Sequence, residues 1–230
     1  MSLDVLYLDN HLLVVNKPAG LLAQADRTGD PDLLSLARAY LKEKLHRPGQ
    51  GFVGLVHRLD RPASGVMVLA CTSKAASRLS DQFRRKLPQK RYLAIVEGAC
   101  RGEGTRVDYL VKEDQKVRVV RSSHPRAQYA ELSWRALAQR GGLSLLEIDL
   151  KTGRAHQIRV QLARMGFPIL GDFRYGAKRE LDGQNLALHC HYLALEHPVT
   201  KEPMHWTAPP PPSWKGLFSV EVRRALQLCD

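Results

Sequence analysis

Nine residues, His57-Arg58-Leu59-Asp60-Arg61-Pro62-Ala63-Ser64-Gly65, run directly into the apolar stretch Val66-Met67-Val68-Leu69-Ala70. Pro62 and Gly65 bracket a turn, and the β-branched and aliphatic run behind them reads as a buried strand. The pair predicts a polar loop fixed to a core strand, a common seat for chemistry. Asp60 lies between two arginines, whose positive charge favours the ionised carboxylate. An ionised carboxylate held this way is a candidate nucleophile. Taken alone, the string serves equally well as a structural Asp–Arg turn.

Three further blocks share the chain with it. They are Val15-Asn16-Lys17-Pro18-Ala19-Gly20, Lys90-Arg91-Tyr92-Leu93-Ala94-Ile95-Val96-Glu97-Gly98, and Thr152-Gly153-Arg154-Ala155-His156-Gln157-Ile158-Arg159-Val160. The last continues in Ile169-Leu170-Gly171-Asp172-Phe173-Arg174-Tyr175-Gly176. In this order they resemble the motifs of the RluA-type pseudouridine synthases: N/D-K-P-x-G, H-R-L-D-x-x-T/S-S-G, K-x-Y-x-A-x-V-x-G, T-G-R-x-H-Q-I-R and G-D-x-x-Y-G. The resemblance covers Asp4 to about Pro203. Two departures stand out: Ala63 where the family usually has Thr, and Gln161 where R-x-H is common.

The net charge of +12, from 35 Lys and Arg against 23 Asp and Glu, suits a polyanionic partner, and RNA is the obvious one. The 230 residues suffice for one domain with a sizeable core. Cys71, Cys100, Cys190 and Cys229 are far apart, which argues for neither a disulfide scaffold nor a zinc ribbon. No secretory leader is visible, and no apolar run approaches the roughly 20 residues of a membrane span. A cytoplasmic location is expected.

Residues 4–8 and 12–16 read as a strand pair. Asp30 and Pro31 read as the cap and first turn of a helix with Leu33, Leu34, Ala37, Tyr40, Leu41 and Leu45 at helical spacing. His46 to Gly51 reads as a loop. Thr72 or Ser73 caps a helix to about Leu87, with Lys74, Arg78, Arg84, Arg85 and Lys86 on its polar side, and Lys90 and Arg91 beyond it. This basic run is either a solvated face or a phosphate contact. Residues 90–97 alternate as a strand. Four more strands follow, over 106–110, 116–121, 128–138 and 143–150, the last two joined by Gly141-Gly142, and predict an antiparallel sheet. Thr152 caps a helix from near Arg154 to before Gly166. It sets Ile158, Leu162 and Met165 inward and turns Arg159, with His156, Val160 and Ala163, to a cleft. Arg154, near its start, suits phosphate binding. Residues 186–196 form another strand; His189 and His191 on it lack the spacing of a metal site. Ser213 caps a final helix, about 213–228, with an apolar face of Trp214, Leu217, Phe218, Val222, Ala225 and Leu226.

The resemblance implies an α+β fold: a mixed, largely antiparallel sheet flanked by helices, with a central active-site cleft. It implies one catalytic domain over 1–230, without the S4-type RNA-binding domain often found in the family. The activity implied is the isomerisation of specific uridines to pseudouridine in ribosomal or transfer RNA, or both, by base flipping. Breaking N1–C1′, turning the uracil and rejoining it through C5 conserves every atom, so neither cofactor nor metal is called for. Asp60 is the implied catalytic carboxylate, Arg159 its partner and Tyr92 the platform on which uracil stacks, though a strand tyrosine is more often a core residue. Arg58, Arg61, Arg154, His156 and Lys17 are the implied substrate contacts, with Arg58 filling the gap left by the flipped base; Lys17 reads equally as a solvated turn residue. A structured RNA with an accessible uridine is expected, and no obligate protein partner, the chain acting as a monomer. Two other readings compete. A non-catalytic RNA-binding or chaperone protein would use the same basic cleft without needing the carboxylate. A base-releasing glycosylase would leave free uracil.

Overall fold

The computed structural model describes residues 3–45, 52–114 and 116–227. The expected loop at His46–Gly51 lies outside them. The strands are β1 (Val5–Leu8), β2 (Leu12–Lys17), β3 (Gly54–Leu55), β4 (Ser64–Ala70), β5 (Gln89–Glu97), β6 (Glu103–Glu113), β7 (Lys116–Val120), β8 (Gln128–Arg140), β9 (Leu143–Leu150), β10 (Leu188–Glu196) and β11 (Pro203–Thr207). The helices are α1 (Leu33–Leu45), α2 (Ser73–Arg84), α3 (Gln157–Arg164) and α4 (Ser219–Gln227).

The strands form one sheet in the order β1-β2-β4-β10-β5-β9-β8-β6-β7, with β11 beside β10 and β3 beside β4. Among the described residues every pairing is antiparallel except β4 with β10. The fold is therefore α+β with a mixed, largely antiparallel sheet. Gly141 and Gly142 both take positive φ, as the two-residue turn between β8 and β9 requires.

The central strands are buried on both faces, which explains why β4 is apolar without alternation. Leu13, Val15, Met67 and Leu69 belong to one core layer, to which α1 adds Leu33, Ala37 and Leu41, α3 adds Ile158 and Leu162, and α4 adds Val222 and Ala225. Leu12, Val14, Val66 and Val68 belong to the other, with Ala75 and Leu79 of α2. A third, smaller cluster joins Leu110, Val117 and Ala130 of β6, β7 and β8 to Val160 of α3.

Helix ends depart from the sequence reading where side-chain chemistry decides them. Asp32, not Asp30, caps α1, its carboxylate accepting from the Ser35 amide and hydroxyl. Asp30 instead pairs with Arg61. Thr72 caps α2 by accepting from the Ala75 amide, and the helix ends at Arg84 rather than Leu87. α3 begins at Gln157, three residues later than expected. His156 holds a left-handed φ of 50°, which interrupts any helix from Arg154. The expected final helix is split into a 3-10 turn at Pro212–Trp214 and α4, with positive φ at Gly216 and Phe218 between them. Among the described residues no helix is long and apolar enough to cross a membrane.

Candidate active site

A cleft of about 460 Å³ opens across the middle of the sheet, within the range of small-ligand pockets. Its walls are the loop from Val56 to Ala63, the segment from Phe83 at the end of α2 to Tyr92 on β5, and the stretch from Leu150 through Arg159. Distant sequence blocks thus meet at one place.

β4 fixes the first wall. Its start pairs in parallel with β10 at Ser64–His189 and Gly65–Cys190. Gly65 has φ +125°, and a Cβ there would lie 2.3 Å from the Cys190 carbonyl oxygen, so only glycine permits this approach. His189 Nε2 lies 2.8 Å from the Ala208 carbonyl, which can only accept. Its Nδ1 therefore accepts from the Ser64 hydroxyl at 2.9 Å. His57 stacks on Phe83 and accepts from the Val68 amide at 3.0 Å. These bonds pin both ends of the loop that carries Asp60.

Asp60 Oδ2 lies 3.0 Å from Arg159 Nη1. The other side of the guanidinium grips Asp172 with two bonds, Nε–Oδ2 at 2.7 Å and Nη2–Oδ1 at 2.8 Å. Such a fork is the strong geometry for an Arg–carboxylate pair. Arg159 and Asp172 are almost fully buried, whereas the Asp60 side chain keeps 20% of its surface exposed. Burial opposes the charge on Arg159, but the bonds and charge of Asp172, and then of Asp60, outweigh it and raise its pKa. Arg159 is therefore a fixed cation linking a structural carboxylate to one that faces the cleft. The Tyr175 ring covers it, 5.1 Å from Cζ to centroid.

Tyr92 lines the same cleft from β5. Burial, with Cys190 and then Asp60, holds its phenol protonated, far above the usual range. His156 Nε2 lies 3.9 Å from Asp60 Oδ2. Burial lowers its pKa, and the charge of Asp60 offsets this only in part. Arg58 and Arg154 also line the cleft. The Arg154 amide donates to Gln157 Oε1 and its Nε to the Tyr129 carbonyl. Thr152 is not a helix cap; its hydroxyl donates to Gln157 Oε1 at 2.7 Å and holds this loop.

Two sequence candidates do not reach the cleft wall. Lys17 is fully buried, and its Nζ donates to the carbonyls of Pro18, Leu21 and Arg61. It is neither a solvated turn residue nor a surface contact, but a tie beneath the Asp60 loop. Burial pushes its ammonium down to about 7, against the pull of Asp60. Arg61 turns away to Asp30 at 2.8 Å and to the Gly20 carbonyl at 3.0 Å. Conversely, Asp172 and Tyr175 sit in the site without having been singled out, although both lie in the Gly171–Gly176 block. Lys90 and Lys151 add positive charge to the walls. Gln161, one of the two departures, is fully buried on α3 and donates to Asp108 Oδ2 at 3.0 Å, away from the cleft.

Residues 11–164 match the sequence model of the RNA pseudouridylate synthases. The chain belongs to this family. It is an RNA pseudouridine synthase, an isomerase with RNA as its substrate. It is 36% identical over 233 residues to the ribosomal large subunit pseudouridine synthase D of Xanthomonas campestris, covering 96% of this chain and 70% of that one. It is 34% identical over 240 residues to the tRNA pseudouridine synthase C of Yersinia pestis, covering 94% and 90%. Among solved structures, human RNA pseudouridylate synthase domain containing 4 aligns with a TM-score of 0.76 and 26% identity, covering 97% of this synthase and 93% of the human chain.

Proposed function

We propose that this synthase isomerises a uridine in ribosomal or transfer RNA, with Asp60 as the catalytic carboxylate. The observation that carries the reading is the Asp60 Oδ2–Arg159 Nη1 contact of 3.0 Å inside a cleft that Tyr92 also lines. An anion held in place, and open on one side, is what cleavage of the glycosidic bond needs.

The target nucleotide leaves its stack to enter the cleft, at a cost of a few kcal/mol that a loop or bulge reduces. Arg58 is exposed at the entrance and suits the vacated position in the RNA. Tyr92 supplies the flat face for the uracil, and its protonated phenol cannot compete with Asp60 as a base. The carboxylate assists the departure of N1 from C1′. The uracil turns within the walls, C5 bonds to C1′, the C5 proton is lost to a base and N1 takes one up, so that the product keeps every atom of the substrate. Lys90, Lys151 and Arg154 suit the phosphates on either side. Relatives named for ribosomal and for transfer RNA match at 36% and 34% identity, so both substrate classes stand.

Asp60→Asn tests the assignment. Pseudouridine formation is expected to vanish while RNA binding persists and weakens with rising salt in both forms. A variant that still makes pseudouridine overturns it. Product formation without free uracil separates this activity from that of a glycosylase. Mapping pseudouridine in a deletion strain identifies the RNA.

A further inference from the structure

A second hydrogen-bonded chain enters the cleft, from the edge strand of the sheet. The Val117 amide of β7 donates to the Tyr175 hydroxyl oxygen at 3.0 Å. That oxygen lies 2.8 Å from His156 Nδ1. An amide only donates, so the Tyr175 oxygen accepts there, and its own hydrogen is available to His156 Nδ1. With that hydrogen given to Nδ1, the ring proton is carried on Nε2, the nitrogen 3.9 Å from Asp60 Oδ2. The geometry around it is tight. The two rings stand at 83°, His156 holds a left-handed backbone angle, and Tyr175 packs beside Val117 and Val160 in the third core cluster.

We propose that Tyr175 is a positioning residue that fixes His156 as the neutral Nε2–H tautomer, so that His156 offers a hydrogen-bond donor to the bound uridine beside Asp60. The proposal rests on the assignment of the cleft as the uridine site. The gap of 3.9 Å is too long for a direct hydrogen bond to the carboxylate, and so leaves the donor for an oxygen of the nucleotide. A doubly protonated imidazole would instead pair with Asp60 and compete with Arg159. Several groups bear on that choice. Asp60 and Asp172 favour the cation; burial, Arg159 and Arg174 oppose it. The Tyr175 hydroxyl, donating to Nδ1, opposes it further. The same hydroxyl oxygen receives the β7 amide, so the seat of the β6–β7 hairpin helps to orient the imidazole.

Ring 15N–1H spectra of the 15N-histidine-labelled protein test this, with the His156 signals identified by their loss in His156→Gln. The wild type is expected to show the Nε2–H tautomer with an acceptor shift at Nδ1. Tyr175→Phe keeps the ring over Arg159 and removes only the hydroxyl. It is expected to lose the single-tautomer signature and to lower kcat on the order of ten-fold, about what one hydrogen bond amounts to, with KM for RNA nearly unchanged. The acid limb of its kcat profile is expected to move to higher pH, because an imidazole that no longer accepts at Nδ1 protonates more readily. An Nδ1–H tautomer in the wild type overturns the proposal, as does a Tyr175→Phe variant with unchanged spectrum and unchanged acid limb. The wild-type spectrum requires no turnover. It therefore decides the tautomer independently of whether Asp60→Asn is inactive.

Discussion

Arg159 holds two carboxylates with one guanidinium, and they do different work. Asp172 takes the bidentate side and is buried; Asp60 takes the remaining nitrogen and stays open to the cleft. Removing charge from the buried partner leaves the cation short of compensation. Asp172→Asn is therefore expected to destabilise the protein by about 3 to 5 kcal/mol, the usual result of breaking a buried pair. It should also lower kcat, because Arg159 is then free to shift toward Asp60. Denaturant unfolding and steady-state kinetics on the same sample check both. Lys17 makes the same point from the opposite direction. A lysine next to a proline in a turn reads as solvated. The structure instead spends all three of its donors on carbonyls, one of them from Arg61 beside Asp60. Its burial depends on two loops that approach 44 residues apart in sequence, which no local pattern expresses.

At the scale of elements, the parallel contact between β4 and β10 sets where the Asp60 loop ends. It is short, two residue pairs, and it depends on the missing side chain of Gly65. Gly65→Ala would press a methyl group into the backbone of Cys190 and force an alanine to φ +125°. The expected cost is about 3 kcal/mol or more, with loss of activity at temperatures where the variant remains folded, because Asp60 moves with the strand. Thermal unfolding followed by circular dichroism, and activity below that transition, provide the check. The helices show how far local signals reach. Thr72 caps α2 as its sequence suggests, since the motif is complete within four residues. α3 starts late because Thr152 spends its hydroxyl on Gln157 and His156 leaves the helical region. Nor does α3 present one buried and one open stripe. Gln157 through Leu162 are all buried, because the helix lies between the sheet, the β6–β7 hairpin and the return through Tyr175.

The whole molecule carries buried imidazoles whose neutrality is tied to folding. His189 and His191 have no exposed surface, and burial pushes them down to about 4 and about 3. In the unfolded chain both take up protons near pH 6.5. Below that value the unfolded state binds more protons than the folded one, so stability falls as pH falls, and the loss continues until the folded pKa values are reached. Between pH 7 and 5 the two together are expected to cost roughly 2 to 4 kcal/mol. Urea midpoints across that range measure it, and replacing either histidine with a neutral isostere should flatten the slope.

The chain alone determined what local chemistry can encode. The strand that follows Gly65, the β8–β9 turn at Gly141-Gly142, the α2 cap and the order of the motif blocks each depend on a few neighbouring residues or on a periodic pattern. Asp60, Tyr92 and Arg159 were legible because they lie within such blocks. The tertiary structure decided which of the surrounding charges serve the cleft. It sent Arg61 to Asp30 and Lys17 into the interior, and it brought Asp172 and Tyr175 to Arg159 and His156. Desolvation and charge pairing act through space, between residues whose separation along the chain says nothing of their distance.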